Sequence, residues 1–273
     1  MIRKPPNWRD KAGRQRMLDH QIRRDETAAF GFELVPESEK TDHVQRHFDS
    51  VAPKYDLMNT LLSGGIHYLW KRRAVAVLDP QPGEKVLDVC GGTGDLSILT
   101  HKKVGPKGLV TVFDINRAMM QAGRQARRHQ ATRSQLTYVQ GNAEQISFPD
   151  AAFEKTIVGF GIRNVTHMIQ GFSEMYRVLK PGGCMVCLEF SKPVRPFFRT
   201  LYDFYSFTVM PWLGELLAGS WKAYEHLPET IRLFPLPDEL ADILTEIGFA
   251  DVQYERLTNG IAVIHRGNKP ADP

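Results

Sequence analysis

Short apolar runs alternate with amphipathic stretches between about residues 85 and 190, and this alternation is the feature that most constrains the fold of the chain. Apolar runs bounded by glycine, proline and polar residues are typical of buried strands, while apolar residues at helical spacing predict helices. The predicted strands span residues 85–89, 109–114, 136–140, 155–159 and 185–190, and the predicted helices span residues 95–103, 118–130 and 168–179. Strands that alternate with helices form a parallel sheet covered on both faces, so the sequence predicts an α/β protein.

The C-terminal end of the chain departs from this alternation. A helix is predicted over residues 238–247, and two strand-like runs, 252–257 and 261–265, follow it with only a Thr-Asn-Gly turn between them. Two strands joined this tightly have to be antiparallel. The predicted fold is a doubly wound sheet, mostly parallel with a C-terminal antiparallel hairpin. That hairpin distinguishes the Rossmann-like sheet of class I S-adenosylmethionine (SAM)-dependent methyltransferases from ordinary dinucleotide-binding sheets.

Residues 30–270 are predicted to form one domain with two additions to the sheet. An N-terminal helical cap is expected over about residues 40–80, as two helices, because apolar residues recur at helical spacing in 44–55 and again in 61–78. An aromatic insertion over about residues 192–226 is expected to form a lid over an apolar substrate, to pack as two helices on the sheet edge, or both. Its rings are Phe197, Phe198, Tyr202, Phe204, Tyr205, Phe207, Trp212, Trp221 and Tyr224.

Residues 1–29 are predicted to be a basic, disordered extension. Residues 1–24 hold eight Lys and Arg against two Asp, a local charge of +6 in a chain of formal charge +4, so the rest of the sequence sums to −2. A nucleic-acid-binding body is therefore not indicated. Three cysteines suit a reducing compartment, and the apolar runs fall far short of the roughly 20 residues that span a bilayer. We expect a cytoplasmic protein whose contact with a membrane is at most peripheral, at the inner face.

A glycine-rich turn follows the first strand of the predicted sheet, in the sequence Val-Leu-Asp-Val-Cys-Gly-Gly-Thr-Gly-Asp. Glycines in such a turn let backbone approach a ligand closely and direct N–H groups towards it, and Gly91, Gly92 and Gly94 are the candidates here. Asp88 ends the strand, and a cysteine stands where the dinucleotide fingerprint has its first glycine. Because Asp88 would repel a pyrophosphate but favour a cationic methionine moiety, the turn favours SAM over a dinucleotide.

Polar residues also end the next two predicted strands. Asp114 ends the second, where its carboxylate can accept hydrogen bonds from both hydroxyls of a ribose. Asn142 and Ala143 follow the third, where a side-chain amide and a backbone N–H can bind adenine. A helix N-cap is the alternative role for Asp114, and a turn residue is the alternative for Asn142. Because the carboxyl ends of parallel strands meet at one edge of the sheet, these strand ends together predict a nucleoside site.

Long and rare strings of residues mark the rest of the chain. They are Phe30-Gly31-Phe32; Tyr55-Asp56-Leu57-Met58-Asn59 with Ser63, His67 and Trp70; Gly161-Ile162-Arg163-Asn164; Arg177-Val178-Leu179-Lys180-Pro181-Gly182-Gly183 running to Glu189-Phe190-Ser191; and Leu257-Thr258-Asn259-Gly260-Ile261 with His265-Arg266-Gly267. On these strings the chain resembles the UbiE family of ubiquinone/menaquinone-biosynthesis C-methyltransferases, from about residue 30 to residue 269. The resemblance implies that SAM is the co-substrate, that no metal takes part, and that Thr93, Asp114, Asn142 and Ala143 contact SAM.

The resemblance also implies a substrate that is a polyprenylated hydroquinone, namely demethylmenaquinol, 2-polyprenyl-6-methoxy-1,4-benzoquinol or both, with Tyr55, Arg163 and Asn164 facing it. The nucleophile would be a ring carbon made electron-rich by a neighbouring phenolate. Arg163 is expected to stabilise this oxyanion, with Asn164 orienting it. Tyr55, or a water held by Arg163 and Asn164, is expected to relay the proton, and His67 is a less favoured base. A surface ion-pair role for Arg163 and a core role for Tyr55 and His67 stay open.

Two other functions stay open on the sequence alone. One is a SAM methyltransferase that acts on another lipid or on a small phenol, and the other is a non-catalytic SAM- or lipid-binding subunit of a biosynthetic assembly. The acidic strand ends together with Arg163 and Asn164 favour an enzyme. The sequence does not decide whether the protein forms a homodimer or joins a biosynthetic complex.

Overall fold

The structure is a computed structural model that describes residues 27–126, 129–218 and 221–271 of the chain. Most of the predicted N-terminal extension lies outside the described residues. Its last residues do not, because strand β1 (Thr27–Phe30) pairs with strand β2 (Glu33–Pro36) in an antiparallel hairpin. The described fold therefore begins shortly before the boundary predicted at residue 30.

A seven-stranded sheet forms the centre of the molecule. Its strands are β3 (Lys85–Val89), β4 (Leu109–Asp114), β5 (Thr137–Gln140), β6 (Phe153–Gly159), β7 (Leu179–Phe190), β8 (Ala250–Leu257) and β9 (Ala262–Asn268). In space their order is β5-β4-β3-β6-β7-β9-β8. Strands β3 to β7 pair in parallel, whereas β9 is antiparallel to both β7 and β8. The predicted doubly wound sheet with a C-terminal antiparallel hairpin is confirmed.

Helices cover both faces of this sheet. In chain order they are α1 (Glu37–Val51), α2 (Tyr55–Ser63), α3 (His67–Leu78), α4 (Asp95–Val104), α5 (Arg117–Gln125), α6 (Gln130–Arg133), α7 (Met168–Val178), α8 (Pro196–Phe204), α9 (Met210–Ala218), α10 (Trp221–Leu233) and α11 (Pro237–Ile247). Val86 packs with α3 and α4 on one face, and its neighbour Leu87 packs with α7 and α11 on the other. This alternation follows from the two-residue period of a strand.

The cap differs from its prediction in number of helices. Helices α1, α2 and α3 replace the two that were predicted over residues 44–55 and 61–78. Gly64 and Gly65 have φ values of 57° and 79°, and this left-handed backbone, which glycine adopts without strain, ends α2 before α3 begins. A continuous helix over residues 61–78 is therefore wrong.

The Lys-Pro-Gly-Gly segment was predicted to be a turn before the last parallel strand, and it belongs to β7 instead. Gly182 has a φ of 75°, and its N–H donates to the Lys269 carbonyl at 3.0 Å. The pairing of β7 with β6 shifts register between Phe153 and Lys155, so the segment forms an irregular start to the strand. Proline and glycine are typical both of turns and of irregular strand starts, so the sequence alone does not distinguish the two.

The aromatic insertion forms α8, a π-helical turn over Tyr205–Val209, α9 and α10. It packs against the cap: the Tyr205 hydroxyl donates to the Leu62 carbonyl at 2.6 Å, and Tyr224 packs with Val51 and Met58. The insertion and the cap together therefore stand over the carboxyl ends of the parallel strands. This is the arrangement that a lid requires.

Candidate active site

A large cavity lies at the carboxyl ends of β3, β4, β5 and β6, beneath the cap and the insertion. It encloses about 1640 Å³ of empty space, including its open mouth. The predicted site residues that line it are Tyr55, Asp88, Gly91, Gly92, Thr93, Asp114, Asn142, Ala143, Arg163 and Asn164. Gly94 is the one predicted site residue that does not line it.

The cavity has two walls. We call the part of the lining formed by Asp88, Asp114 and residues 90–93, 95 and 141–144 the cofactor wall. A second part of the lining is the acceptor wall, and it is formed by His47, Phe48, Tyr55, Phe160, Arg163, Asn164, Phe190, Tyr224 and His226. The first wall comes from turns after strands, and the second comes mainly from the cap, the insertion and the turn after β6.

Asp88 is buried at the end of β3 and is 1% exposed. Its Oδ2 accepts a hydrogen bond from the Ser97 hydroxyl at 2.6 Å, whereas its buried Oδ1 has no partner in the described part of the chain. Burial raises the pKa of this carboxyl to about 7, and the hydrogen bonds from Ser97 oppose the rise. A buried acceptor without a partner is costly, so a cation in the cavity would stabilise it. Asp88 thus fits the methionine moiety of SAM.

Asp114 ends β4 with both carboxylate oxygens held by backbone. Oδ2 accepts from the Gly92 N–H at 2.8 Å, and Oδ1 accepts from the Asn116 N–H at 2.7 Å. Burial raises its pKa to about 6, although these two hydrogen bonds lower it. Each oxygen keeps lone pairs for further donors, such as ribose hydroxyls. The N-cap of α5 is Asn116, whose side chain accepts from the Met119 N–H, so the alternative N-cap role for Asp114 is wrong.

The glycine turn holds the wall in shape instead of offering the predicted N–H groups. The Gly91 N–H donates to the Phe113 carbonyl at 3.1 Å, Gly92 donates to Asp114, and Gly94 donates to the Gly91 carbonyl at 2.8 Å. For these three residues the predicted direction of the N–H groups towards a ligand is wrong. Gly91 packs closely within the protein, because a Cβ there would lie 2.8 Å from the Val112 side chain and 3.0 Å from the Asp88 carbonyl oxygen, and close approach to a ligand stays a prediction.

Two further cofactor-wall residues have partners within the protein. The Thr93 hydroxyl donates to Asp56 Oδ1 at 2.8 Å, which ties the turn to α2 of the cap. Asn142 Oδ1 accepts from the Glu144 N–H at 3.0 Å. The alternative turn role for Asn142 is therefore present, although the residue also lines the cavity beside Ala143. Contacts of Thr93, Asn142 and Ala143 with SAM stay predictions.

Arg163 lies in the 3₁₀ turn after β6, at the acceptor wall. Its Nη1 lies 2.9 Å from Glu189 Oε2, and the two side chains are 6% and 2% exposed. The same nitrogen donates to the Phe160 carbonyl, and the guanidinium carbon lies 5.4 Å from the centroid of the Phe190 ring. The alternative of a surface ion pair is wrong, because this pair is buried. Glu189 was quoted in the sequence strings but was given no role, since a lone glutamate in an apolar strand carries no local signal.

The other two predicted catalytic residues also face the cavity. Asn164 is 8% exposed, and its Nδ2 is buried without a hydrogen-bond partner among the residues that the structure describes. Tyr55 is half-buried, with its ring centroid 6.2 Å from that of Phe48. His67 also lines the cavity, is 4% exposed, and has its Nδ1 2.8 Å from the Ser63 hydroxyl, so its role as a less favoured base stays a prediction.

Sequence reasoning missed a pair of histidines on the acceptor wall. The rings of His47 and His226 lie 4.8 Å apart between centroids, and His226 stacks on Phe30 at 4.0 Å. Burial lowers the pKa of His47 to about 4, with the Arg163 charge adding to the effect. Burial lowers the pKa of His226 to about 2, with His47, Arg163 and Lys40 adding to it. Both imidazoles are therefore neutral at physiological pH. The sequence did not indicate that they pair, because 179 positions separate them.

The sheet order and the carboxylates at its strand ends define a class I SAM-dependent methyltransferase. A solved structure with this fold is a SAM-dependent methyltransferase from Thermotoga maritima, with a TM-score of 0.58 and 19% identity over 83% of this chain and 100% of that one. The sequence matches the ubiE/COQ5 methyltransferase family over residues 36–269, and the chain belongs to that family.

Curated relatives are similar along most of their length. The chain is 45% identical to the ubiquinone/menaquinone biosynthesis C-methyltransferase UbiE of Pseudomonas fluorescens, over 89% of this chain and 95% of the relative. It is 46% identical to the protein of the same description from Methylococcus capsulatus, over 89% of this chain and 98% of the relative. The family resemblance found in the sequence is confirmed.

Proposed function

We propose that this protein transfers the methyl group of SAM to a ring carbon of a polyprenylated hydroquinone, as the names of its relatives suggest for them. The observation that carries the proposal is one cavity with two chemically different walls. Acidic and amide groups on the cofactor wall suit a cationic nucleoside, while Arg163 among the aromatic rings of the acceptor wall suits a phenolate in an apolar pocket. Demethylmenaquinol and 2-polyprenyl-6-methoxy-1,4-benzoquinol are the expected acceptors.

SAM, when bound, supplies an electrophilic methyl group on a positively charged sulfur. Asp88 would face the cationic methionine moiety, and Asp114 would accept hydrogen bonds from the ribose hydroxyls. Asn142 and Ala143 would bind the adenine. The unpartnered Oδ1 of Asp88 and the lone pairs that Asp114 keeps beyond its two backbone donors support the first two assignments, and the family resemblance supports the third.

On the acceptor wall, Arg163 and Asn164 would hold the oxygen of the hydroquinone as it loses its proton. Arg163 Nε and Asn164 Nδ2 are buried donors without partners within the described residues, and donors of this kind stabilise an oxyanion. The ring carbon then forms a bond to the methyl group, and the electron pair of the broken C–S bond stays on sulfur. Loss of the proton from that carbon and return of a proton to the oxygen restore the aromatic ring, so one proton leaves overall. Tyr55, or a water beside Arg163, would relay it.

The enclosure of the cavity supports this chemistry. Because a cation and an anion neutralise each other during the transfer, exclusion of water should favour the reaction. The cap is tied to the strand ends, since Asn116 Nδ2 donates to the Gln45 carbonyl at 3.1 Å and to Asp49 Oδ1 at 2.9 Å. Together with the Thr93–Asp56 hydrogen bond, these contacts hold the cap over both substrates.

The test is an anaerobic incubation of the protein with SAM and each chemically reduced acceptor, followed by mass spectrometry of the quinone fraction. We expect methylated quinone and S-adenosylhomocysteine in equal amounts. Reactions with the oxidised quinone are the control, because an oxidised ring offers no phenolate. Measurable SAM binding without any methylated quinone from either acceptor would contradict the proposal and favour a different acceptor.

We also propose that the protein contacts a membrane surface, where a polyprenylated substrate would reside. None of the described helices is long and apolar enough to cross a bilayer. The helices α8, α9 and α10 nevertheless carry a group of exposed large apolar side chains that we call the apolar surface. It consists of Phe197, Phe198, Leu201, Phe204, Trp212, Leu216 and Trp221, which are 42–75% exposed. Exposed groups of this size usually mark an interaction site, and aromatic residues suit a lipid interface.

Sedimentation with lipid vesicles tests this contact. We expect binding to vesicles that contain anionic lipid, and at least a severalfold loss of binding when Phe197 and Phe204 are changed to Asp. Leu34→Asp is the matched control, because Leu34 is also exposed but lies on the β1–β2 hairpin. Vesicle binding that is unchanged in the double variant would contradict the proposal. A dimer in solution that the double variant dissociates would assign the apolar surface to a second copy of the chain instead.

A further inference from the structure

The buried partner of Arg163 has a further consequence for the reaction. Glu189 is the penultimate residue of β7, is 1% exposed, and lies opposite Val263 of β9. Its Oε2 accepts from Arg163 at 2.9 Å and from the Phe190 N–H at 3.2 Å. Burial of two charges costs desolvation free energy, and removal of one partner from a buried pair costs more, because a lone charge is left behind. Stability alone therefore does not explain a buried Arg–Glu pair beside a cavity.

The two charges of this pair reach the two walls unequally, although the turn before Arg163 packs on the glycine turn: a Cβ on Gly161 would lie 2.4 Å from the Cβ of Cys90. Burial raises the pKa of the Cys90 thiol, at the cofactor wall, well above its usual value, and the negative charges of Asp114 and Glu189 add to the rise while Arg163 opposes it. On the acceptor wall, burial and the positive charge of Arg163 lower the pKa of His47 and of His226. At Cys90 the negative charge of Glu189 therefore outweighs the positive charge of Arg163, whereas the two histidines of the acceptor wall are affected by Arg163.

The remaining oxygen of Glu189 points to the same conclusion. Oε1 is buried and has no hydrogen-bond partner among residues 27–126, 129–218 and 221–271. Within the part of the chain that the structure describes, Arg163 is the positive charge paired with this carboxylate, and burial still raises the pKa of Glu189. A buried carboxylate oxygen that accepts no hydrogen bond favours a further positive charge nearby.

We propose that Glu189 is a positioning residue for methyl transfer: it fixes the Arg163 guanidinium at the acceptor wall and supplies a compensating negative charge on the side of the cofactor. This inference rests on the proposed function for its effect on turnover. The pair then favours a cation at the cofactor wall and an anion at the acceptor wall, which is the charge distribution of a sulfonium beside a phenolate. A lone guanidinium would repel the sulfonium that has to lie next to it.

The test compares SAM with S-adenosylhomocysteine, which has the same shape without the methyl group and without the charge on sulfur. In Glu189→Gln the amide oxygen still accepts from Arg163, but the negative charge is gone. By calorimetry in the absence of any acceptor, we expect the dissociation constant for SAM to rise about tenfold, as one pKa unit of lost interaction implies, and that for S-adenosylhomocysteine to change less than about twofold. With the quinol acceptor, kcat should fall about tenfold or more, with a smaller change in KM.

Glu154→Gln is the matched control. Glu154 lies on the neighbouring strand β6 and is ion-paired with Lys180, but it lies outside the cavity lining. Its substitution should alter neither the preference for SAM nor kcat. In an Arg163→Ala background, Glu189→Gln should lower kcat no further, because Glu189 acts through Arg163.

An unchanged preference for SAM and an unchanged kcat in folded Glu189→Gln would overturn the proposal, and so would an equal loss of affinity for both nucleosides, which indicates a structural role alone. If Glu189→Gln does not fold, Glu189→Asp carries the test: it should keep the preference for SAM but lower kcat severalfold, and an unchanged kcat would overturn the proposal. If the wild-type protein methylates neither quinol, the proposed function fails, while the nucleoside comparison still tests Glu189.

Discussion

The two walls of the cavity are built in different ways. On the cofactor wall, the carboxylates of Asp88 and Asp114 are held by Ser97, Gly92 and Asn116, all of which lie in the turns and helix starts that directly follow β3 and β4. The acceptor wall collects side chains from α1, the start of α2, the turn after β6, the end of β7 and α10. Residues as distant in sequence as His47 and His226 therefore come into ring contact.

Because of this difference, substitutions on the two walls should affect different properties of the protein. A wall made of turns on a rigid parallel sheet is fixed by local hydrogen bonds, so changes there should weaken ligand binding and leave the chemistry nearly intact. A wall assembled from five separate elements depends on their packing, and it carries the groups proposed to act on the acceptor. Substitutions on either wall therefore test whether ligand binding and turnover depend on different parts of the cavity.

The largest expected effect is that of Arg163→Ala on turnover. Removal of an oxyanion donor usually costs ~10²-fold in kcat or more. Affinity for SAM should stay within about threefold, because the buried Glu189 takes up a proton when its partner is removed and the pair's net charge stays at zero. Steady-state kinetics and calorimetry measure the two quantities separately. Arg73→Ala is the control, because Arg73 also pairs with a glutamate, Glu255, but on the exposed surface. Turnover of Arg163→Ala within about threefold of wild type would remove Arg163 from the mechanism.

The reverse pattern is expected for Asp114→Asn. The amide is of similar size but turns one acceptor into a donor, which then faces the N–H of Gly92 or of Asn116. A hydrogen bond to a charged group contributes about 1.5–3 kcal/mol, so affinity for SAM should fall roughly 10- to 100-fold. At saturating SAM, kcat should change only severalfold. Asp150→Asn, at an exposed carboxylate paired with Arg177, should change neither, and a loss confined to kcat in Asp114→Asn would break the distinction between the walls.

The contrast between the walls also explains what the sequence could predict. Asp88, Asp114 and Asn142 were found because a polar residue at the end of a buried strand is visible in the sequence itself, and the fold that brings strand ends together follows from the βα alternation. Their neighbours were less visible. That the Gly92 N–H is taken by Asp114, and the Thr93 hydroxyl by Asp56, depends on turn geometry and on the docking of the cap.

On the acceptor wall the sequence supplied Arg163, Asn164 and Tyr55 only through the family resemblance. Glu189 and His226 were missed, because a single polar residue in a strand or helix pattern has many structural roles and only tertiary contacts choose among them. The break between α2 and α3 was missed for a similar reason, although Gly64 and Gly65 are themselves a signal for a helix end. Roles of individual residues are thus harder to derive than the fold.

A pH-dependent prediction concerns the cofactor wall. Burial, opposed by Ser97, raises the pKa of Asp88 to about 7, and burial raises that of Asp114 to about 6. A bound sulfonium favours the ionised carboxylate, so SAM binding at pH 7 should release roughly half a proton, and affinity should rise about tenfold from pH 6 to pH 8. Calorimetry in buffers of different ionisation enthalpy measures the release. Asp88→Asn should lose most of it, and an equal release in that variant would assign the proton elsewhere.

A further expected effect is on stability, and here the two walls should respond to acid with opposite signs. The pKa of His226 is lowered by burial from 6.5 to about 2, so its neutral form is stabilising above pH 6.5, and this contribution is lost as the pH falls. At pH 5 the loss is about 2 kcal/mol, since 1.5 pH units below the unfolded pKa each cost about 1.4 kcal/mol. The raised pKa of Asp88 has the reverse effect: its stabilising protonated form is lost as the pH rises through about 7.

Calorimetric melting of the ligand-free protein from pH 5 to pH 8 separates these contributions. His226→Gln should melt higher relative to wild type at pH 5 than at pH 8, because glutamine has no proton to gain, and Asp88→Asn should show the opposite trend. His43→Gln is the control, because His43 also contacts the Phe30 ring, at 5.4 Å, but its side chain is 34% exposed. If the melting temperatures of the three variants and the wild type changed with pH in parallel, the burial of His226 and Asp88 would not determine how stability depends on pH.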